Sequence, residues 1–156
     1  MEAGLELSKG KITMTAVAEL PVLDVSHHPI VFFDGVCGLC NQTVQRLLRL
    51  DTRQRMRFAP LQGETASQLL ESTDIQELKS LVVCDRSGTA RCSTAVVRIL
   101  WHLGGLYCVL SCSLWLIPSP VRNLGYRFVA AHRYRWFGKH DTCRLPLPSE
   151  AERFLP

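Results

Sequence analysis

The chain has 156 residues and a mass of 17.6 kDa, which is enough for one compact domain to bury a core without disulfide support. Apolar residues make up 47% and charged residues 21% of the chain, proportions that exclude a wholly disordered protein. The net charge of +4 is smaller than the basic excess that nucleic-acid-binding proteins usually carry on one face. We therefore expect one soluble domain that does not bind nucleic acid.

The N-terminal residues and the apolar runs of the chain show no targeting or membrane-spanning signal. The first 20 residues contain acids and no continuous apolar run, unlike a signal or transit peptide. The longest apolar stretch, residues 104–117, is too short to cross a bilayer and predicts a buried helix or an interfacial segment. We expect a cytoplasmic protein in which residues 1–29 form a leader, and the sequence leaves open whether that leader is ordered.

The seven cysteines do not form a disulfide framework, because their number is odd and their spacing irregular. A reducing compartment would keep most of them as thiols. Cys84 ends an apolar run and is predicted to lie in a buried strand. Cys108 and Cys112 share one helix face in an apolar segment, which predicts small core residues. Cys92 and Cys143 have no assignment from spacing.

The remaining two cysteines, Cys37 and Cys40, lie between a predicted strand and a predicted helix. Residues 30–33 are β-branched or aromatic, which is typical of a buried central strand, and Asp34-Gly35 is a turn pair. From Cys40 onward, apolar residues recur at the spacing of one helix face. The pair therefore lies at a strand-to-helix junction, with Cys37 at or just before the helix N-terminus.

The following residues continue the alternation of strands and helices. The pattern predicts a strand at 56–59, a helix at 64–71, a hairpin over 81–92, and a helix capped by Ser93 or Thr94 that ends near Gly104. This order is that of a minimal thioredoxin fold, an α/β structure of three layers around a mixed four-stranded sheet, with its first two strands parallel. No repeat or linker interrupts residues 30–156, which we interpret as a single domain.

Two more helices are predicted as a C-terminal extension of this fold. Residues 106–117 are largely apolar and carry no charge, and they are predicted to form a buried helix. Ser119-Pro120 resembles a helix start. The helix that follows is predicted to direct four apolar side chains inward: Val121, Leu124, Phe128 and Val129.

The position of the cysteine pair indicates redox chemistry. Disulfide exchange requires a thiolate, and a free cysteine with a pKa of about 8.5 is mostly protonated at neutral pH. A helix N-terminus offers unpaired backbone N–H groups and partial positive charge, which favour the thiolate of Cys37. One helical turn brings Cys40 back to Cys37, so that Cys40 can resolve a mixed disulfide. We expect the nucleophile, Cys37, to be the exposed cysteine of the pair.

Two other interpretations of the pair stay open at this point. A zinc site needs two more ligands, and neither the pair Cys84 and Cys92 nor His27-His28 has suitable spacing or placement, so we expect no metal. A dimer could still supply four thiolates from two copies of the pair. The chain could also be a non-catalytic interaction module that docks a partner through its basic, aromatic C-terminal third.

The residues around the pair resemble the DCC family of thiol–disulfide oxidoreductases, named for its Asp-x-x-Cys-x-x-Cys motif. The resemblance begins with residues 30–41 and covers about residues 30–155. It continues in order through further blocks, namely residues 57–62, 93–95, 117–118, 123–130, 133–138 and 143–146.

The resemblance implies a thioredoxin-like domain and a redox role for Cys37 and Cys40, with no bound cofactor. It does not supply a substrate. The redox hypothesis itself requires a protein or small thiol or disulfide as substrate, with glutathione as one candidate, and leaves the oligomeric state unknown. The motif also includes Asp34, which would relay a proton or hold the turn by accepting backbone N–H bonds. Thioredoxins carry a cis-proline before the third core strand, whereas residues 77–80 contain no proline. Either substrate binding differs, or Ser80 and its neighbours take the role of that proline.

Other polar positions have two interpretations each. Ser93-Thr94 would cap a helix or hold a glutathione carboxylate. Arg133, Arg135 and Trp136 would form a lip for a partner or pack and face solvent. Cys143 would act as a third redox cysteine if the tail folds back.

Overall fold

A computed structural model of the chain describes Val25 and residues 27–70, 81–139 and 150–156. Its centre is a mixed four-stranded sheet in the order β2-β1-β3-β4. The strands are β1 (Ile30–Phe33), β2 (Arg57–Pro60), β3 (Val82–Asp85) and β4 (Gly88–Arg91). β1 is parallel to β2 and antiparallel to β3, and β3 and β4 form an antiparallel hairpin. The predicted strands, their order along the chain and the parallel first pair are confirmed.

Five α-helices occur within the described residues. They are α1 (Gly38–Leu50), α2 (Glu64–Leu69), α3 (Cys92–Leu103), α4 (Leu106–Leu116) and α5 (Ser119–Phe137), followed by a short 3-10 helix at Ala151–Arg153. No helix in these parts of the chain is long and apolar enough to cross a membrane.

The core lies on both faces of the sheet, because every residue of β1 is buried. Val31 and Phe33 pack with residues of α1 and α3 on one face, whereas Ile30 and Phe32 pack with α2 on the other. A central strand covered on both sides needs a continuous apolar sequence, which explains the run at residues 30–33. Helix, sheet and helix form three layers, consistent with the predicted thioredoxin-like fold. Cys84 lies in β3 and is buried, as predicted.

The two C-terminal helices form where they were predicted, but their burial was predicted wrongly. Ser111 is the buried residue of α4, and its hydroxyl donates to the Val97 carbonyl of α3 at 2.8 Å. Helix α4 therefore packs on α3 through a small polar side chain and leaves its large apolar residues outside. Cys108 is only half-buried and Cys112 is exposed. On α5, the four residues predicted to face inward are exposed: Val121, Leu124, Phe128 and Val129.

The start of α3 also differs from the prediction. The helix begins at Cys92, which has a φ of 55°, and neither Ser93 nor Thr94 caps it, because its N-cap residue is Arg91. The Ser93 hydroxyl instead donates to Asn123 Oδ1 at 2.5 Å, which ties α3 to α5. The helix ends at Gly104, whose φ of 72° is the left-handed conformation that glycine adopts most easily.

The last seven residues of the chain are anchored beside β2. Leu155 donates its backbone N–H to the Phe58 carbonyl at 2.8 Å, and Phe154 packs against the ring of Phe58. The buried Arg153 guanidinium donates to Asp51 at 2.5 Å. The tail thus adds apolar contact and a buried ion pair to the edge of the sheet.

Candidate functional site

Cys37 is the N-cap residue of α1, as the sequence predicted. Its backbone is extended, with φ −87° and ψ 121°, and its carbonyl accepts the first helical hydrogen bond from Asn41 N–H at 3.0 Å. The Cys37 N–H in turn donates to the Asp34 carbonyl at 3.2 Å, which closes the turn after β1. The sulfur of Cys37 is therefore placed at the helix N-terminus, where backbone N–H groups are unpaired.

Both thiols of the pair are free and they share a hydrogen bond. The pKa of Cys37 is lowered from 9.0 to about 6. The largest cause is the hydrogen bond that the Cys40 thiol donates to the Cys37 sulfur; the backbone N–H groups of Cys40 and Leu39 and the Arg133 cation act in the same direction, and burial opposes them. The same hydrogen bond, together with burial, raises the pKa of Cys40. The pair thus contains one thiolate and one protonated thiol at neutral pH.

The exposure of the two cysteines is the reverse of the prediction. Cys37 has 0% exposure, whereas Cys40 is partly exposed. The cause is the C-terminal end of α5, which lies directly over the start of α1. Lys139 forms a backbone bridge with Cys37, and Gly38 N–H donates to the Gly138 carbonyl at 3.2 Å. We call residues 137–139 the cover of the site.

Gly38 allows this close approach. A Cβ added at Gly38 would lie 2.1 Å from the Phe137 carbonyl oxygen, a distance that no real Cβ contact reaches. Because the obstructing atom belongs to the backbone, a larger residue would push the cover away. The glycine between the two cysteines is therefore required by the contact between α1 and α5.

Asp34 lies beside the pair and is almost fully buried, at 1% exposure. Its Oδ1 accepts the Val36 N–H at 3.2 Å and the Gln62 side-chain amide at 3.0 Å. Its Oδ2 accepts Arg133 Nη2 at 3.0 Å and the Tyr134 hydroxyl. A carboxylate offers about four acceptor positions, so these donors fill it. The contact with Val36 is the turn-holding interaction that the sequence predicted as one of two roles.

Arg133 joins Asp34 to the cysteine pair. Its side chain is 5% exposed and forms an ion pair with Asp34, and its Nη1 lies 3.9 Å from the Cys40 sulfur. The guanidinium also donates to the Tyr134 hydroxyl at 2.9 Å. The buried cation beside the two sulfurs favours their thiolate forms.

Two amide side chains hold the loop between β1 and α1 in place. Gln62 donates to Asp34, and its Oε1 accepts the Gly35 N–H at 3.3 Å. Asn41 donates to the Gly35 carbonyl at 2.9 Å. Both backbone polar groups of Gly35 are thereby satisfied, which keeps the loop ordered.

The structure brings together Asp34, Cys37 and Cys40 of the residues predicted for the site. It separates the proposed lip, since Arg133 is buried in the site whereas Arg135 and Trp136 are exposed. Cys143 and residues 77–80 lie outside the described residues. No group of three His, Cys, Asp or Glu side chains in the described parts of the chain is arranged to hold a metal ion.

The sequence did not indicate that Arg133 and Tyr134 face the cysteines. Asp34 and Arg133 are 99 residues apart in the chain, and no periodicity relates the last turn of a C-terminal helix to a loop after the first strand. The one available signal was position, because both residues fall inside the blocks that resemble the family.

Comparison with known proteins gives the following similarities. The sequence matches the family described as DCC1-like thiol-disulfide oxidoreductase over residues 31–139. It is 38% identical to the protein YuxK of Bacillus subtilis (strain 168) over 129 residues, which are 81% of this chain and 93% of YuxK. It is 34% identical to a chloroplastic DCC family protein of Arabidopsis thaliana over 119 residues, which are 75% of this chain and 69% of that protein. No solved structure matches the chain.

Proposed function

Because the chain belongs to the DCC1-like thiol-disulfide oxidoreductase family, we propose that it exchanges thiols and disulfides through Cys37 and Cys40. The observation that carries this proposal is the position of Cys37 at the N-terminus of α1 with Cys40 one helical turn further on, where the interaction between the two thiols lowers the pKa of Cys37 and raises that of Cys40. A pair of such unequal acidity supplies a thiolate nucleophile and a protonated partner that reacts second.

The first step uses the Cys37 thiolate. Its sulfur attacks one sulfur of a substrate disulfide, a mixed disulfide forms on Cys37, and the other half of the substrate leaves as a thiolate that takes a proton from water. With a pKa of about 6, Cys37 is mostly ionised at neutral pH, so this step needs no separate base.

The second step uses Cys40, whose pKa must fall before it attacks. In the reduced pair this pKa is raised by the hydrogen bond to Cys37, by burial and by the negative charge of Cys37. The mixed disulfide removes the charge of Cys37 and with it two of these three causes, while Arg133 still stabilises a thiolate. The Cys40 sulfur then attacks Cys37, closes the disulfide and releases the second substrate thiolate. The substrate gains the two electrons that the cysteine pair loses.

Asp34 and Arg133 act in this scheme as positioning residues. Asp34 accepts hydrogen bonds on both oxygens, which favours an anchoring role over the proton relay that the sequence also permitted. It fixes the guanidinium of Arg133 beside the Cys40 sulfur. The cation then remains next to whichever sulfur carries the negative charge.

Access to Cys37 requires the cover to move. Cys37 has the reactive thiolate but no exposed surface, and an attack on a disulfide needs the incoming sulfur in line with the nucleophile. Displacement of residues 137–139 from the start of α1 breaks the Gly38–Gly138 hydrogen bond and the bridge to Lys139. We infer that a substrate replaces these backbone contacts with its own.

The substrate class is proposed from the same contacts. The cover pairs with the start of α1 through an antiparallel backbone bridge between Lys139 and Cys37, so a peptide that carries a disulfide and can form the same backbone contact is a suitable substrate, and glutathione or a dithiol protein is a suitable electron donor. The seven cysteines, odd in number and irregular in spacing, suit a reducing compartment, for which we propose the cytoplasm.

The experiment that tests this function compares two variants of the pair. Cys37→Ser removes the nucleophile and is expected to abolish disulfide reduction in an assay driven by glutathione. Cys40→Ser keeps the nucleophile but cannot resolve, so the protein is expected to accumulate a mixed disulfide with glutathione on Cys37, visible by mass spectrometry.

Cys112→Ser is the matched control. Cys112 is exposed on α4 and lies outside the site, so this variant is expected to keep the activity of the unmodified protein. Full activity of both Cys37→Ser and Cys40→Ser would overturn the proposed function.

A further inference from the structure

Helix α4 carries apolar side chains on all its faces, yet it lies on the surface. A helix that is apolar all round is normally buried in a protein core or in a membrane. Here Leu106, Trp115 and Leu116 are 82%, 72% and 80% exposed. A helix of eleven residues, with a rise of about 1.5 Å per residue, is too short to cross a bilayer. A membrane span therefore does not explain the exposed apolar side chains of α4.

The helices before and after α4 in the chain also expose large apolar side chains. Trp101 of α3 is exposed beside α4, and Leu124 and Phe128 are exposed on α5. We call the exposed apolar side chains of these three consecutive helices the outer apolar surface: Trp101, Leu106, Trp115, Leu116, Leu124 and Phe128. Exposed apolar patches of several large side chains on three helices mark interaction sites in soluble proteins.

The three helices that carry this surface have basic residues and no acidic ones. Residues 92–139 contain six Lys and Arg and no Asp or Glu. Arg127, Arg135 and Lys139 of this segment are exposed, whereas Arg98 and Arg133 are paired with buried carboxylates. A partner must therefore be apolar beneath the tryptophans and anionic around them. Two copies of this chain would oppose like charges, which disfavours a symmetric dimer through this surface.

We propose that the outer apolar surface binds an anionic lipid bilayer, with α4 lying in the plane of the interface. Tryptophan and arginine are the side chains that favour the boundary between headgroups and acyl chains, and basic residues nearby are attracted to anionic headgroups. Strongly protruding side chains need a partner that adapts to them, as acyl chains do. A recess of about 450 Å³ between α3 and α4, flanked by Trp101 and Trp115, would be filled in the same way.

The tryptophans make this proposal directly measurable. The chain has three tryptophans, and all of them, Trp101, Trp115 and Trp136, are more than half exposed. Intrinsic fluorescence therefore reports on this surface and on Trp136 near its edge. We expect a blue shift of the emission and co-sedimentation of the full chain with vesicles of phosphatidylcholine and phosphatidylglycerol, both weakened by salt, and neither effect with phosphatidylcholine alone.

Matched variants locate the binding surface. Leu116→Glu/Leu124→Glu is expected to weaken vesicle binding at least about tenfold, because it removes buried apolar area and adds repulsive charge. Arg127→Gln and Arg135→Gln are each expected to weaken it about fivefold. Leu50→Glu is the control, because Leu50 is also exposed, at 41%, but lies on α1. This variant is expected to bind vesicles as the unmodified protein does.

The proposal is overturned if the chain binds no vesicles, or if it binds neutral and anionic vesicles equally and independently of salt. It is also overturned if the protein self-associates without lipid and the Leu116→Glu/Leu124→Glu variant is monomeric, because a second copy then occupies the surface. The Cys37→Ser variant is expected to bind vesicles normally, so this result is independent of the redox function.

Discussion

At the scale of single residues, the main feature of the site is that its two cysteines hold one proton between them at neutral pH. Cys40 keeps the proton and donates it in a hydrogen bond to Cys37. The same bond therefore lowers the pKa of Cys37 and raises that of Cys40. The position of Cys37 at the start of a helix could be predicted from the sequence, and the lowered pKa with it. The contribution of Arg133 could not, because its contact with the pair depends on how the last turn of α5 packs against α1.

The first prediction concerns the ionisation of the pair. The ultraviolet absorbance of the thiolate, recorded as a pH titration of the reduced protein, is expected to show a transition near pH 6 that is absent from Cys37→Ser. Cys40→Ala removes the hydrogen-bond donor, so this transition is expected to move to higher pH. A lowest cysteine transition near 9.0 in the unmodified protein would contradict the described pair.

The second prediction concerns stability. Between pH 6 and 9, the unfolded chain keeps the Cys37 proton whereas the folded chain has lost it, so the unfolded state binds more protons and stability rises with pH. Above pH 9 the sign reverses, because Cys40 stays protonated only in the folded state. The free energy of unfolding is measured by denaturant titration for the reduced protein and for Cys37→Ser. The difference between the two values is expected to increase from pH 6 to pH 9. A difference that does not change with pH would contradict the lowered pKa of Cys37.

The third prediction concerns Arg133. Arg133→Gln leaves the buried Asp34 carboxylate without its cation and is expected to lower the free energy of unfolding by about 3–5 kcal/mol. It is also expected to raise the pKa of Cys37, which a purely structural role for Arg133 would not do. Arg135→Gln is the control, because Arg135 is exposed two residues away, and its effect should stay within about 0.5 kcal/mol. Equal effects of both substitutions would contradict the buried ion pair.

At the scale of helices and strands, the decisive contact is the one between α1 and α5. The sequence predicted both helices, since apolar spacing on α1 and the Ser119-Pro120 start of α5 are local signals. It did not predict their contact, and it predicted the wrong side of α5 to face inward. Aromatic and basic residues alternate along α5, so its faces differ little in polarity. The local sequence therefore does not indicate which side of the helix faces inward. The burial of Cys37 is a consequence of this contact.

The fourth prediction tests this contact. Gly38→Ala places a methyl group against the Phe137 carbonyl and is expected to destabilise the fold by about 1–3 kcal/mol while increasing the rate at which Cys37 is alkylated. Gly125→Ala is the matched control on α5, where an added Cβ meets no atom within 4 Å. It is expected to stabilise by about 0.5–1 kcal/mol without changing alkylation. An unchanged alkylation rate in Gly38→Ala would show that the cover does not limit access.

At the scale of the whole molecule, the core and its surroundings differ in how well sequence predicts them. The sheet, its order and its first three helices could be predicted because strand residues 30–33 and the helix faces carry clear periodic patterns. The exposure of α4 could not be predicted. An apolar run indicates that a helix is buried, but it does not say whether the rest of the protein or a binding partner buries it. The division into a leader at residues 1–29 and a domain at residues 30–156 stays a prediction.

The measurement that tests the central claim most directly is the redox equilibrium of Cys37 and Cys40. The protein is equilibrated in glutathione and dithiothreitol buffers, and the oxidised fraction is scored by thiol alkylation and mass spectrometry. We expect one reversible two-electron transition assigned to this pair, between about −120 and −270 mV as in known oxidoreductases, and none in Cys37→Ser. If the two cysteines form no disulfide in any buffer, thiol–disulfide exchange by this pair is contradicted.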